Sequence, residues 1–436
     1  MSNILIIIQV FAKQSDSKTW GNLMIKKAII GITILLSLGF VGCGQSESIE
    51  NNTIIGNEKS ICLNRSSSEL SYFSLVDEGY STPIKSQKNG TCWAFAASTS
   101  MESSYKKKQG KDIDVDPMSI VESVYGEEPT EGYCIKVQKA KYDYGGCAWQ
   151  VTAKTANGFE DYVLVDASNY ENTDIETMKA AIAQDGAMNV AVNDAKSNKF
   201  GNFGEYYTLN DPDSEDFDHE VVLIGWDDNF PKEKFRQEAT SDGAWLAQNS
   251  HGDKWGRNGY YWISYDTPFR ENTIFQIAEK YGRVVSYDGG NENRISTGLV
   301  TKTANIFHEK GQLKAVGTCT VSPSQKIIIE ICDSEMSSII YKQEVTFEIP
   351  GYHTIELDQP LDLMDYAIVI SYEGEAPVEG ESWENSIIGY LVDIKPGESF
   401  VYINDEWIDM SDNEISSKLG IDFVPNNCCI KAIYEE

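Results

Sequence analysis

Two patterns of hydrophobic and polar positions divide the body of this chain. In the first half of residues 71–280 apolar residues recur at helical spacing, and in the second half they form short runs typical of buried strands. The predicted helices are Cys92–Lys107, Pro117–Tyr125 and Trp149–Asn157, and the predicted strands are Ala187–Asn193, Glu220–Trp226, Ala244–Ser250 and Gly259–Tyr265. We therefore expect an α+β domain over residues 71–280, with a helical part followed by a β part.

From about Tyr281 the pattern changes to apolar residues at every second position, separated by turn residues. The predicted strands are Lys326–Cys332, Val345–Ile349, Thr354–Leu357, Tyr366–Tyr372 and Ser399–Ile403. Short strands at regular spacing, with almost no helical period, are typical of a sandwich. Residues 281–436 are thus predicted to form an all-β sandwich.

The N-terminus carries an export signal. A basic segment at Met24–Lys27 precedes the apolar run Ala28–Val41 and the pair Gly42-Cys43, which is the pattern of a bacterial lipoprotein signal peptide with Cys43 as the acylated residue. The alternative is an uncleaved membrane anchor, for which the run is short. Residues 1–23 are interpreted as an extension upstream of a start at Met24, and residues 44–70, which are polar, as a tether. We expect the body to lie on the extracellular face of the cytoplasmic membrane or at the cell surface.

Charge and cysteine content narrow the class of partner. The formal net charge of −31 repels nucleic acid and anionic bilayers, so we expect no nucleic-acid partner, and the membrane is reached only through the lipid. None of the nine cysteines lies in a C-x-x-C, and with only four histidines no zinc spacing is found. Two disulfides remain open at this point, Cys134 with Cys147 and Cys319 with Cys332, and a reducing niche would leave all thiols free.

Three polar residues stand in the order of a thiol-based catalytic group. Cys92 precedes His219 by 127 residues, and His219 precedes Asn249 by 30. A thiol attacks an amide only as the thiolate, so it needs an imidazole beside it and a third group that orients the ring. Taken alone, Cys92 would be a buried small apolar residue and His219 a histidine at the end of a strand. The common order and spacing favour catalysis instead.

The motifs around these residues identify a family. The segment Gln87–Phe95 resembles the Q-x-x-C-G-x-C-W-A-F motif of papain-like cysteine peptidases, and the segments that begin at His219 and Gln248 resemble that family's H-A-V-x-x-V-G-Y strand and its K-N-S-W-G run. Three departures are visible. Asn89 replaces a cysteine, with one residue fewer between Gln87 and Cys92, and His251 replaces the tryptophan that in relatives shields the histidine–asparagine bond from water.

The resemblance implies a fold and roles for individual residues. It implies a helical lobe and a β-barrel lobe, with the site in the cleft between them. Its catalytic residues would be Cys92, His219 and Asn249, with the Gln87 side-chain amide and the Cys92 backbone N–H as donors to the oxyanion. The substrate backbone would contact Gly145 and Gly146, for which an ordinary turn is the alternative reading, and also Trp255. No cofactor is required, and the only partners implied are protein or peptide substrates.

The C-terminal third resembles, less specifically, the lectin-like domain that follows the peptidase in surface cysteine peptidases of Gram-positive anaerobes. The similar stretches begin at Ala304, Gly351, Gly397 and Glu406. Fold resemblance does not establish sugar binding, so cell-surface glycans and calcium in this domain both stay open. Two function classes follow: a lipid-anchored cysteine endopeptidase acting on surface or secreted proteins, and a surface adhesion or glycan-binding protein whose peptidase module is inactive.

Overall fold

The computed structural model describes residues 53–87, 90–125, 146–194, 198–280, 282–288, 292–295, 300–380, 394–421 and 423–435. Several residues singled out from the sequence lie outside these ranges, namely Cys43 with the rest of the signal segment, Asn89, Cys134 and Gly145. Within the described part, no helix is both long enough and apolar enough to span a membrane.

Helices are concentrated in the first half of the peptidase-like region. They are α1 (Cys92–Gln109), α2 (Pro117–Tyr125), α3 (Ala148–Thr155), α4 (Ile175–Asp185) and, near the C-terminus, the short α5 (Ile415–Leu419). The bounds of α2 are those predicted, and those of α1 and α3 lie within two residues of the prediction. Helix α4 is additional, and its Asp174 side chain accepts a hydrogen bond from the backbone N–H of Thr177 at 2.7 Å, as an N-cap does.

Strands make up most of the remainder. The first eleven are β1 (Ile54–Ile55), β2 (Lys59–Ile61), β3 (Tyr72–Ser74), β4 (Tyr162–Asn169), β5 (Met188–Val192), β6 (Phe200–Phe203), β7 (Tyr206–Leu209), β8 (His219–Asp227), β9 (Ala244–Gln248), β10 (Tyr260–Ser264) and β11 (Arg270–Glu279). The others are β12 (Gly282–Ser286), β13 (Glu292–Ile295), β14 (Lys302–Phe307), β15 (Gly311–Thr320), β16 (Gln325–Asp333), β17 (Ile339–Phe347), β18 (Gly351–Leu363), β19 (Tyr366–Tyr372), β20 (Ala376–Gly380), β21 (Ser399–Ile403), β22 (Glu406–Asp409), β23 (Pro425–Cys428) and β24 (Ile430–Glu435).

One sheet runs through both halves of the chain. Its order is β12-β24-β15-β18-β4-β11-β5-β8-β9-β10-β7-β6, and β3 joins it on β8. The junction is the antiparallel pair β18–β4, in which Gly351 lies opposite Ser168 and His353 opposite Asp166. The sandwich is completed by a second sheet in the order β1-β17-β16-β19-β14-β21-β22. The predicted α+β fold with a following all-β sandwich is confirmed.

Separate apolar cores hold the parts together. One core fills the sandwich, with fully buried Ile329, Ile370 and Ile430 among its members. A second fills the β lobe, and a third packs α1, α2 and α3 onto β4 and β11. Helix α1 is buried along most of its length. Most of its buried side chains are small, and this allows β5 and β11 to approach it closely. Its Ser100 Oγ donates to the carbonyl of Ala187 at 2.7 Å.

The segment before residue 70 does not behave as the predicted tether. Strands β1 and β2 pair in parallel with β17 of the sandwich, and Leu63 packs into the core of the β lobe. The prediction of a free polar segment is therefore wrong for residues 53–70. An edge strand such as β17 offers unpaired backbone groups, and a polar segment can satisfy them without an apolar pattern of its own.

The described thiols do not form the two disulfides considered. Cys147 and Cys332 are both free, so neither the pair with Cys134 nor the pair with Cys319 is present. Cys332 is buried, whereas Cys62 is an exposed free thiol.

Candidate active site

Four neighbouring antiparallel strands, β5, β8, β9 and β10, bring the polar groups of the site together at one end of the strands. His219 is the first residue of β8, and it pairs with Val192 at the end of β5. Asn249 follows the last residue of β9, which is also antiparallel to β8. Tyr261 lies at the start of β10, opposite Ala247. Because the end of one antiparallel strand lies beside the start of its neighbour, these residues meet although they are far apart in the chain.

Cys92 is the first residue of α1. The preceding residue, Thr91, makes no side-chain capping hydrogen bond, and the first turn contains no acidic residue. The positive end of the helix dipole therefore lies at Cys92 without an acidic side chain to offset it. The opposite end of the helix is matched to its dipole by three lysines in the last turn, Lys106, Lys107 and Lys108.

The three predicted catalytic residues form one hydrogen-bonded group. His219 Nε2–H donates to Asn249 Oδ1 at 2.9 Å, and both side chains are buried. The other ring nitrogen, Nδ1, is thereby directed to Cys92, with which His219 shares a side-chain hydrogen bond. Asn249 is fixed in turn, because its Oδ1 also accepts from the Ser250 backbone at 2.7 Å and its own N–H donates to Gly259 at 2.9 Å.

The surroundings of His219 stabilise its protonated form. Burial lowers the pKa of His219, but the Asp194 carboxylate and the Cys92 side chain outweigh it, so the pKa rises to about 9. The Asn249 hydrogen bond acts in the same direction. An imidazolium is thus favoured at neutral pH, and it is the charge that a neighbouring thiolate requires.

Asp194 is a functional residue that sequence reasoning missed. Its Oδ2 accepts from Asn249 Nδ2 and from the Tyr261 hydroxyl, both at 3.2 Å, and its Oδ1 lies 3.7 Å from His219 Nε2. It is 5% exposed, and burial raises its pKa, although His219 opposes this. No local motif marks this position, because its role arises only when β5 and β8 pair. The Asp194 carboxylate thus lies beside the hydrogen bond between His219 and Asn249.

His251 lies where the tryptophan of the resemblance would lie. Its ring stacks on His219, with centroids 4.8 Å apart and planes inclined by 25°, and it packs edge to face with Trp255 at 5.5 Å. Trp255 also packs edge to face on Tyr261 at 5.1 Å. The position predicted for His251 is therefore confirmed, whereas substrate contact by Trp255 stays a prediction.

Gln87 is joined to the loop that carries Asn249. Its Oε1 accepts from Ser250 Oγ at 2.6 Å, and its backbone N–H donates to the Ser250 carbonyl at 2.7 Å. Ser86 forms an isolated antiparallel bridge with His251. The hydrogen bond from Ser250 Oγ holds the side-chain carbonyl of Gln87 and so defines the orientation of the Gln87 side chain. Its role as an oxyanion donor stays a prediction.

Gly146 lies against the aromatic ring that follows the nucleophile. A Cβ built on Gly146 would be 2.3 Å from atoms of the Trp93 ring, and Trp93 is only 1% exposed. The close approach of backbone to ring therefore requires glycine at this position. Whether Gly146 also contacts the substrate backbone stays a prediction.

The described residues bring Asp194, His219 and His251 together, with one ligand atom from each within 4.8 Å of the others. Proximity alone would allow a metal ion. However, the nitrogen lone pairs of the two stacked imidazoles lie in nearly parallel planes, so they do not converge on one point. The geometry is that of a hydrogen-bonded acid–base group.

Comparison with protein families divides the chain in two. Residues 72–280 match the papain family cysteine protease, and residues 274–434 match the lectin like domain. Cathepsin K of Mus musculus is 28% identical over 203 residues, which is 42% of this chain and 56% of that protein. Procathepsin L of Rattus norvegicus is 28% identical over 210 residues, with 44% and 59% covered. The match thus spans less than two thirds of either relative.

Solved structures extend the likeness to both parts of the fold. The cysteine protease and lectin-like domains of Cwp84, a surface layer associated protein of Clostridium difficile, align with 84% of this chain and 89% of that chain, at a TM-score of 0.64 and 20% identity. The clostridial cysteine protease Cwp84 after propeptide cleavage aligns with 84% and 99%, at a TM-score of 0.63 and 21% identity. The order of a papain-like unit followed by a lectin-like unit is therefore shared.

Proposed function

We propose that this chain, which carries a papain-family cysteine protease domain followed by a lectin-like domain, is an extracellular cysteine endopeptidase that hydrolyses peptide bonds of surface or secreted proteins. The observation that carries this proposal is the hydrogen-bonded group formed by the half-buried Cys92 with the buried His219 and Asn249, in which the pKa of His219 is raised to about 9. An inactive module would have no need to retain a buried ionisable group at this cost in desolvation.

In the first half of the reaction the Cys92 thiolate attacks the carbonyl carbon of the scissile amide. A C–S bond forms, and the electron pair of the C=O bond moves to oxygen, where the Gln87 side-chain amide and the Cys92 backbone N–H donate to the oxyanion. The oxyanion then collapses and the C–N bond breaks. The His219 imidazolium gives its proton to the leaving amine, which departs and leaves a thioester.

In the second half the now neutral His219 accepts a proton from water as the water oxygen attacks the thioester carbonyl. Breaking the C–S bond releases the carboxylic acid and restores the thiolate and imidazolium. Asn249 keeps the His219 ring in one orientation through both halves, and Asp194 stabilises the imidazolium each time it forms.

Labelling with an epoxysuccinyl thiol inhibitor tests the proposal. The intact chain should gain one inhibitor mass on Cys92, while the exposed thiol of Cys62 serves as the internal reference for ordinary reactivity. The matched control is Cys62→Ser, which should be labelled to the same extent as the wild type. Equal reaction at Cys92 and Cys62, or none at Cys92, would favour the adhesion protein with an inactive peptidase module.

Lipid anchoring through Cys43 is part of the proposed function, and it is supported by the sequence pattern before that residue. Two or more acyl chains hold a protein at a membrane stably, whereas one gives only marginal binding. A fatty-acid analogue fed to producing cells should tag the wild type and not Cys43→Ala. A mature N-terminus at another residue would contradict the anchor.

Recognition of cell-surface glycans is proposed for the lectin-like domain, on the basis of its family match alone. Because one sheet passes from this domain into the β lobe, the test uses the full chain with Cys92→Ala rather than an isolated domain. Retention on immobilised cell-wall polysaccharide that free polysaccharide reverses would support it. Equal retention on an uncharged matrix without sugar would refute it.

A further inference from the structure

Two cysteines of the lectin-like domain lie side by side on neighbouring strands. Strands β15 and β24 are antiparallel, and their ladder ends with Thr318 opposite Ile430. Continuing this register by one residue brings Cys319 opposite Cys429. The Thr318 hydroxyl donates to the Cys429 carbonyl at 2.8 Å, which holds the Cys429 backbone beside the end of β15. The two cysteines are therefore neighbours in the sheet, although they are far apart in the chain.

Both cysteine side chains lie on the same face of this sheet. Side chains alternate between the two faces along a strand. Val316 of β15 and Ile430 and Ala432 of β24 belong to the core of the sandwich, so the residues between them face the other way. Cys319 and Cys429 accordingly both line a cavity of about 140 Å³, which is also lined by residues of helix α3. The two thiols thus face one common space outside the sandwich core.

The ladder sets a separation that a disulfide can span. Cys319 and Cys429 are present as thiols and are 8% and 6% exposed. Opposite residues of an antiparallel pair have Cα atoms about 4.5–5.5 Å apart, and a disulfide bridges Cα distances of about 4.4–6.8 Å. Two other cysteines of the domain are placed differently. Cys332 lies on β16 of the second sheet, and Cys428 Sγ donates to the Phe400 carbonyl at 3.3 Å.

We propose that Cys319 and Cys429 form a redox-modification site, at which a small disulfide compound oxidises both thiols to one intramolecular disulfide. One thiol loses its proton and attacks the S–S bond of the compound, so that a mixed disulfide forms and one half of the compound leaves as a thiol. The second cysteine, as thiolate, attacks the protein sulfur of the mixed disulfide and releases the other half. Two electrons pass from the cysteines to the compound. This step does not depend on peptidase activity.

The charge of the cavity indicates which compound suits the site. Its lining includes four carboxylates, those of Glu171, Glu271, Asp288 and Glu379. Among the described residues of this lining, Lys431 is the one basic side chain, and it pairs with Asp288 at 2.8 Å. The excess of negative charge attracts a cationic reagent and raises its local concentration. Cystamine, a small disulfide with an ammonium group at each end, is therefore the appropriate probe.

Cystamine treatment of the full chain with Cys92→Ala tests the site without the catalytic thiol. After residual thiols are blocked, a proteolytic digest should contain the segment with Cys319 linked to the segment with Cys429, and dithiothreitol should separate them. The matched variants change two adjacent positions. The link should form to the same extent when Cys428→Ser is added, and it should be lost when Cys429→Ser is added. An equal yield in both variants, or loss only in Cys428→Ser, would overturn the assignment.

Thermal unfolding and refolding complete the test. The link closes the long loop from residue 319 to residue 429, which restricts the unfolded chain, so oxidation should raise the unfolding midpoint by about 5 °C. The variant with Cys429→Ser should show no such rise. Refolding in a mixture of cystamine and cysteamine exposes every thiol to the reagent. A link found only after refolding would support the pairing and overturn entry through the cavity, and its absence from both the native and the refolded protein would overturn the proposal.

Discussion

The imidazole of His251 stacks on the imidazole of His219, with ring centroids 4.8 Å apart. Partial desolvation of the stacked ring, followed by the charge on His219, lowers the pKa of His251 to about 4, although the residue keeps an exposed surface. Two adjacent imidazoles therefore hold different charges near neutral pH, since His219 is protonated and His251 is neutral. A protonated His251 would repel the His219 imidazolium and narrow the alkaline side of the activity profile. Because His251 is neutral there, that effect is not expected.

The change His251→Trp should act on stability in acid instead. A histidine whose pKa is lowered by folding binds its proton more readily in the unfolded chain, so the native state loses stability as the pH falls from about 6.5 towards 4. The tryptophan variant lacks this titration and should lose less stability than the wild type over that window. Urea unfolding midpoints at pH 7 and pH 4.5 measure it. An equal acid loss in both proteins, or a shifted alkaline limb of activity in the variant, would contradict this account of His251.

Asp194→Asn should shift the alkaline limb of kcat/KM to lower pH. The carboxylate raises the pKa of His219, which is about 9 in the folded protein, so removing its charge lets the imidazolium lose its proton earlier. We expect a shift of about one pH unit, which corresponds to about 1.4 kcal/mol. The pH–rate profile of a neutral peptide substrate gives the value.

The control for this variant is Tyr261→Phe, which removes one hydrogen bond to Asp194 at 3.2 Å but keeps the carboxylate. Its alkaline limb should stay close to that of the wild type. If the asparagine variant has an unchanged profile, Asp194 positions Asn249 without tuning His219.

Gly146→Ala should impair hydrolysis by crowding. The new Cβ would be 2.3 Å from the Trp93 ring, and because Trp93 is buried next to the nucleophile, the backbone of residue 146 must move. A displacement of about 1 Å near reacting atoms costs on the order of a hundredfold in rate. The comparison is Gly79→Ala, where nothing lies within 4 Å of the added atom but φ is 79°, so that any loss there reports backbone strain without crowding. If Gly146→Ala had the kcat/KM of the wild type, the prediction would be wrong, and the Trp93 ring would have to move readily to admit the new Cβ.

Lys85→Met should destabilise the fold. Lys85 Nζ lies 2.6 Å from Glu102 Oε1, and the Glu102 side chain is only 2% exposed, so the substitution leaves a buried carboxylate without its charge partner. Such a loss costs roughly 3–5 kcal/mol. Lys106→Met breaks the pair with Asp112, which is 82% exposed, and should cost less than about 1 kcal/mol. Chemical denaturation of both variants measures the contrast, and similar losses would show that Glu102 is neutral in the folded state.

Local patterns were sufficient for the elements that bury a continuous apolar face. Helix Pro117–Tyr125 and strands Tyr366–Tyr372 and Ser399–Ile403 have the bounds predicted for them. Strands β1 and β2 were not predicted, because their pairing with β17 satisfies backbone groups and leaves Ile55 and Ile61 exposed. With two and three residues, these strands are too short to show a period.

The same limit applies to the candidate site. His219 and Asn249 stand in recognisable motifs, and the structure joins them at 2.9 Å. Asp194 follows no motif, since its place beside His219 depends on the register between β5 and β8.

The most direct test of the account compares hydrolysis of one fluorogenic peptide by the wild type and by Cys92→Ala. Removing the nucleophile eliminates the covalent route, so kcat/KM should fall by at least about a thousandfold. The far-ultraviolet circular dichroism and the unfolding midpoint should match those of the wild type, because the side chain of Cys92 is small and lies at the start of α1. A variant that retains activity within tenfold of the wild type would contradict the assignment of Cys92, and with it the proposed peptidase mechanism.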